Sequence, residues 1–249
     1  VIVIPAIDLR AGRCVRLAQG DYARETVYRD DPVAVALDWQ RAGARWIHVV
    51  DLDGAREGYP AQRDLIIRIV QAVSVPVQAG GGIRTAEHAA ALLEGGVTRV
   101  VLGTVAVEQP ELVSSLVSQW GPERIVVGVD ARGGKVAVRG WLDTTETTAI
   151  DLIQAMAARG LTQVVYTDIE RDGTLTEPNY AEIAAVAATG VRVIASGGVS
   201  GIEQLNRLAQ LPGVEAAIVG RALYTGDVVL GPEQWDLTSS AAATGGVPR

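Results

Sequence analysis

VPVQAGGGIRTAEHAAALLEGGVTRVVLGTVAV (residues 75–107) returns in altered form as VRVIASGGVSGIEQLNRLAQLPGVEAAIVGRAL (residues 191–223). The copies align with one inserted residue. Each reads as an apolar strand, a glycine-rich turn, a helix, a second strand and a glycine. Any two strand–helix stretches look alike, but chance likeness would not match glycines at matched offsets. Two further pairs extend the repeat: IPAIDLRAGRCVRL (4–17) with VVGVDARGGKVAVRG (126–140), and, more loosely, HVVDLDGAREG (48–58) with VVYTDIERDG (164–173). Each half then holds four βα units, and duplication of a half-barrel accounts for the length.

Eight short β-branched runs alternate with alanine- and leucine-rich stretches. The strands are VIVIPAI, WIHVVD, VPVQAG, RVVLG, RIVVGVD, QVVYTD, VRVIAS and AAIVG; DPVAVALDWQRAG, TAEHAAALLEGG, AIDLIQAMAARG and IEQLNRLAQLPG are helical. Asp31 before Pro32 reads as an N-cap with a first-turn proline, Ser200 and Glu203 have capping-box spacing, and Gly43, Gly96 and Gly160 sit at helix ends. Strands this continuously apolar are covered on both faces, as in parallel sheets. The fold class is therefore α/β, a (β/α)8 TIM barrel of two half-barrels, with an open doubly wound sheet as the alternative. One barrel domain over residues 1–236 is expected, followed by a flexible tail, 237–249, of small and polar residues.

Composition excludes several functions. With 249 residues, 48% hydrophobic and 20% charged, the chain can bury a large core. No apolar run is long enough to span a membrane, and the first residues lack a secretory pattern. The net charge of −7 argues against nucleic acid. One cysteine, Cys14, allows no intrachain disulfide and fits a reducing cytoplasm; with only His48 and His88 beside it, a metal site of the usual ligands is not expected.

In barrels of this class the active site lies at the C-terminal strand ends. Asp8 ends the first strand there, and its repeat mate Asp130 ends the fifth, across the barrel. Two facing carboxylates in unlike surroundings can divide into general acid and general base; the plainer alternative is that each caps a local turn. AGGGIR (79–84) and ASGGVS (195–200) each follow a strand and precede a helix, as phosphate-binding turns do, and Gly103, Thr104, Gly220 and Arg221 follow the neighbouring strands. Two such sites with the acids between them imply a long substrate phosphorylated at both ends. Asp172-Gly173-Thr174 could face an anion or be a plain turn. GGKVAVRGWLDTT (133–145) reads as a hairpin over the mouth, its Arg139 and Trp141 placed to stack on a heterocycle or to anchor the hairpin. His48 is a minor candidate within a buried strand. Trp39 and Trp46 suit helix–strand packing, and Cys14 a structural role.

These motifs, IPAIDLRAGRCVRLAQGDY, HVVDLDGA, GGGIR, TDIERDGTL, ASGGV and IVGRALY in that order, closely resemble the histidine-biosynthesis isomerases that act on ProFAR, phosphoribosylformimino aminoimidazole carboxamide ribonucleotide. The likeness runs from Ile2 to about Tyr224. It implies a cofactor-free Amadori rearrangement of an aminoaldose to an aminoketose; a monomer and a cytoplasmic setting are expected beside it. It also implies roles: Asp8 as base, Asp130 as acid, Thr167 and Asp172 in support. Arg16, Gly82, Gly103 and Thr104 would hold one phosphate, and Gly173, Gly197, Gly198, Gly220 and Arg221 the other. Loops around AQGDYARE (18–25) and VRGW (138–141) would close over the substrate and exclude water. Three alternatives stand beside it: the sister cyclase of the pathway, a dual-substrate relative that also isomerises phosphoribosylanthranilate, and a catalytically silent barrel.

Overall fold

The computed structural model describes residues 1–18 and 20–237. Among these, eight parallel strands close on themselves: β1 (Ile2–Arg10), β2 (Ile47–Asp51), β3 (Val77–Gly80), β4 (Arg99–Leu102), β5 (Ile125–Arg132), β6 (Gln163–Asp168), β7 (Arg192–Ser196) and β8 (Val214–Val219). Closure runs through β8 beside β1, from Ile2 opposite Ala216 to Pro5 opposite Val219. The halves join again where β4 pairs with β5, from Val100 opposite Ile125 to Leu102 opposite Val127. An open doubly wound sheet would leave two free edges, so the barrel is the fold.

Helices cover the outside because their ends are specified locally. Asp31 accepts hydrogen bonds from the Val33 and Ala34 amides to start Pro32–Ala42, and Gly43 ends that helix at φ 111°. Thr85, Thr148 and Asn179 cap Ala86–Glu94, Ala149–Ala157 and Tyr180–Ala187 in the same way. The expected Ser200 capping box does not form: the helix Ile202–Leu208 starts from Gly201, and the Ser200 amide donates instead to Gln204 Oε1. Among the described residues no helix is long and apolar enough to cross a membrane.

Strand parity divides the core into two layers. Val3, Ile7 and Leu9 pack outward against helices, whereas Ile4 and Ala6 point into the barrel with Val126, Val165, Ile194 and Ile218. Burying a side chain such as Ile4 fully stabilises the fold by about 2–3 kcal/mol. Asp8 is the next residue on the inward face after Ile4 and Ala6, and Asp130 follows Val126 and Gly128 likewise. Both strands run two residues past the acid, to Arg10 and Arg132, so the carboxylates stand inside the mouth rather than at a turn.

The duplication is visible in the backbone. After β1 the chain forms a hairpin, Arg13–Ala18 with Asp21–Arg29, and after β5 a second, Lys135–Val138 with Asp143–Thr148, each antiparallel to its barrel strand. The connecting turns match in conformation: Ala11 and Gly12 have φ 48° and 77°, Gly133 and Gly134 54° and 76°. Trp39 packs edge-on against Tyr224 and beside Trp235, as a helix residue should. Trp46 differs from expectation, lying with the barrel-interior cluster beneath the Arg99 guanidinium, 4.1 Å from its ring centroid. Leu237, read as the first tail residue, is buried, and its amide donates to the Val1 carbonyl. The rest of the tail, 238–249, lies outside the described residues.

Candidate active site

Asp8 and Asp130 line one cavity of about 220 Å³ at the C-terminal ends of the strands, together with His48, Thr167 and Asp172. Their register is equivalent: Asp8 lies opposite Val50 of β2, Asp130 opposite Thr167 of β6. Their partners are not. Arg16 donates to Asp8 Oδ2 at 3.1 Å and, with its other terminal nitrogen, to Asp172. Asp130 receives the indole N–H of Trp141 at 2.8 Å and a hydrogen bond from Thr167. Burial raises both acids above the usual carboxylate range, and the Asp172 charge pushes each further up. For Asp8 the Arg16 cation opposes that rise; for Asp130 only neutral donors do. Asp172 is thus no plain turn residue, being buried and ion-paired across the mouth.

The glycine pairs differ in what surrounds them. A Cβ on Gly82 would lie 2.4 Å from the Tyr59 carbonyl oxygen, and one on Gly198 2.5 Å from that of Glu177. Both glycines also have positive φ, 74° and 84°. They let a neighbouring loop cross close over the strand ends, which shapes the recesses from behind. One strand further on, Gly103 has open space where a side chain would be, and Gly220 faces only Arg16 and Ala6 within 4 Å. Their backbones match, φ −97° and −104°, and each precedes a short helix whose first amides lack helical partners. Gly82, Gly103 and Thr104 belong to the main cavity, beside Arg84 and Arg139. Gly173, Gly197, Gly198, Gly220 and Arg221 line a second recess of about 30 Å³. The two spaces share Ala6, Arg16, Asp172, Ser196 and Ile218, so the Arg16–Asp172 pair stands between them.

Arg16 lines both recesses, with its guanidinium lying against Gly173 and Gly220. Beside Arg139, the first recess is lined by Arg84, the arginine of GGGIR, to which the sequence motifs gave no role. Burial lowers its pKa, and among the described residues no carboxylate lies within ion-pair distance of it.

The two hairpins meet over the mouth. A Cβ on Gly20 would lie 2.5 Å from Trp141 Cε3, and one on Gly140 3.8 Å from the Tyr22 hydroxyl. Arg139, Gly140 and Trp141 all have left-handed backbones, φ 55°, 65° and 71°, a conformation that costs the two non-glycine residues roughly 1–2 kcal/mol each. The Arg139 amide donates to Thr104 Oγ1 at 2.8 Å, while its guanidinium pairs with Glu108 and Asp143. Trp141 anchors the hairpin through Asp130 with its indole edge in the cavity wall. His48 is buried in that cavity, with Nδ1 2.8 Å from Gln78 Nε2. Cys14 is buried, its thiol pushed up to about 12 and therefore inert at neutral pH. Among the described residues no group of three His, Cys, Asp or Glu side chains is placed to hold a metal ion.

Residues 2–229 match the model of the family described as histidine biosynthesis protein. Among similar proteins, one from Herpetosiphon aurantiacus is 56% identical over 92% of this chain and 95% of its own length. One from Thermomicrobium roseum is 52% identical over 97% of this chain and 100% of its own, and one from Roseiflexus sp. 56% identical over 92% and 96%. All three carry the name 1-(5-phosphoribosyl)-5-((5-phosphoribosylamino)methylideneamino) imidazole-4-carboxamide isomerase. With the whole barrel spanned by both the family model and these relatives, the chain belongs to the histidine biosynthesis protein family.

Proposed function

We propose that this chain is an intramolecular aldose–ketose isomerase that converts ProFAR to its phosphoribulosyl isomer in histidine biosynthesis. The observation that carries the reading is a pair of inward acids with unlike partners, set between two glycine- and arginine-lined recesses. The relatives' shared name contains two phosphoribosyl groups, which suits a substrate anchored at both ends. It also favours this single reaction over the cyclase and dual-substrate alternatives.

In this reading Asp130, opposed by no cation among the described residues, carries the proton. It gives that proton to the furanose ring oxygen as the bond from C1′ to that oxygen breaks. The nitrogen lone pair then forms the C1′=N Schiff base. Asp8, kept ionisable by Arg16, takes the proton from C2′, and the C2′–H electron pair becomes the C1′=C2′ bond of the enolamine. A proton returns to C1′ and the C2′ hydroxyl loses its own, leaving the ketose; the sum is an isomerisation with no net proton. Arg84 and Arg139 with Gly103 and Thr104 serve one phosphate, Arg16 and Arg221 with Gly173 and Gly220 the other. Trp141, sealed against Gly20, shields the Schiff base from water. We infer a monomer, and a cytoplasmic setting from the relatives' pathway. Purified protein is expected to isomerise ProFAR in an absorbance assay without added cofactor. Absence of turnover by folded wild-type protein would refute the proposal in favour of a silent barrel.

A further inference from the structure

The barrel interior beneath the acids holds a polar chain that the mechanism above leaves unused. His48, Gln78 and Arg99 occupy consecutive strands in direct register, His48 opposite Gln78 and Gln78 opposite Arg99. All three are buried. Arg99 Nε donates to Gln78 Oε1 at 2.7 Å, and Gln78 Nε2 lies 2.8 Å from His48 Nδ1. The other half of the barrel has no such chain: β6 and β7 carry Val165 and Ile194 on the same inward face.

The direction of this chain follows from chemistry. A guanidinium only donates, so the Gln78 atom facing Arg99 must be its carbonyl oxygen. A flipped amide would set two buried N–H groups against each other. Gln78 therefore presents its NH2 to His48, and the ring nitrogen receiving it must be unprotonated. The ring proton is left on Nε2, the nitrogen available to the cavity that His48 lines. Arg99 is itself held by Gln163, by Glu215 at 3.7 Å and by the Trp46 face, so the chain is anchored far from the mouth.

We propose that His48 is a neutral hydrogen-bond donor to the C2′ oxygen of the sugar, with its tautomer locked by Gln78 and the orientation of Gln78 set in turn by Arg99. The proposal rests on the isomerase reading for its substrate atom; the lock rests on geometry alone. As the enolamine forms and collapses, electron density gathers on that oxygen, and a fixed N–H aimed at it stabilises the charge without giving up its proton. A neutral ring suits the task because it donates without titrating. Burial, then the Arg99 charge, hold His48 down to about 3. Gln78 is a positioning residue, acting only through His48.

Two-bond proton–nitrogen spectra of protein labelled with 15N-histidine test the lock, with His88→Asn assigning the second histidine. His48 should show a bare Nδ1 and a protonated Nε2, unchanged from pH 6 to 9. Gln78→Glu offers Nδ1 an acceptor and should bring a proton to it. His48→Gln keeps an N–H near the Nε2 position and should hold kcat within about tenfold. His48→Asn loses it and should lower kcat about a hundredfold or more with KM within about threefold, in the range for removing one such donor. A protonated Nδ1 in the wild-type protein, or an Nδ1 left bare in Gln78→Glu, would overturn the lock. Wild-type kcat in His48→Asn would overturn the catalytic contact. Wild-type protein inert towards ProFAR would remove the isomerase reading and that contact together, while the spectra would still judge the lock.

Discussion

Asp8 shares its corner of the mouth with Arg16 and Asp172, whereas Asp130, its counterpart in the second half, meets Trp141 and Thr167. The backbones around the two acids superimpose in kind: same strand parity, same two-residue turn, same antiparallel hairpin. Counting from the matched turns, Arg16 falls where the second half has Val138, and Thr167 where the first has Val50. Duplication supplies the symmetric placement of two carboxylates, and divergence at a few inward positions supplies unlike chemistry. One acid acquires a permanent counter-charge and the other neutral donors, which is the asymmetry an acid and a base require.

The comparison breaks most completely at the acids themselves. Asp8→Asn and Asp130→Asn should each lower kcat by roughly 10²–10⁴-fold, with KM little changed, in steady-state assays on ProFAR. Their residual pH profiles should differ: Asp8→Asn loses the acidic limb, where the base must ionise, and Asp130→Asn the alkaline limb, where the acid must hold its proton. Matching profiles would show that the halves do not divide the work.

Arg16→Met tests the counter-charge. Without the cation, Asp8 keeps its burial and the repulsion of Asp172, so its pKa rises further and the acidic limb of kcat/KM should move to higher pH. Breaking a mostly buried pair should also cost about 3 kcal/mol in denaturant unfolding. A limb left in place would mean that Arg16 serves phosphate only.

A smaller effect is expected where the hairpins meet. Gly20→Ala places a methyl 2.5 Å from Trp141 and strains a backbone at φ 76°. Roughly 1–2 kcal/mol of strain confined to the closed mouth corresponds to about tenfold in kcat/KM, with little change in Tm.

The least effect concerns stability. The folded-state pKa of Asp130 is raised, so between its ordinary value and that raised value the folded protein holds more protons than the unfolded chain. Stability from this group therefore falls as pH rises through the window. Asp130→Asn should consequently melt higher than wild type at pH 8, and the difference should shrink as pH falls towards the ordinary carboxylate value. A difference independent of pH would assign the effect to packing.

Much of this was legible because it is local. Continuous apolar runs, caps such as Asp31 and matched glycines identify eight βα units, and the parity of Ile4, Ala6 and Asp8 is enough to aim an acid into a barrel once closure is assumed. The glycines were legible as a pair of sites but not in their division of labour. Whether Gly82 admits a ligand or a crossing loop depends on Tyr59, which no reading of GGGIR brings near it. The Ser200 box failed for a related reason: the helix starts one residue later, and Gln204 satisfies the serine amide instead.

What the sequence by itself determined was the repeat, the barrel it builds and the inward carboxylate of each half, because those depend on periodicity and on hydrogen bonds between near neighbours. Only the tertiary structure decided which groups face those acids: Arg16 reaching Asp172 across 156 residues, Trp141 closing on Asp130 and Gly20, and Arg99 orienting Gln78 beneath His48. The physical reason is that a charge or a tautomer is set by whatever lies within a few ångströms, and in a closed barrel those neighbours come from strands far apart in the chain.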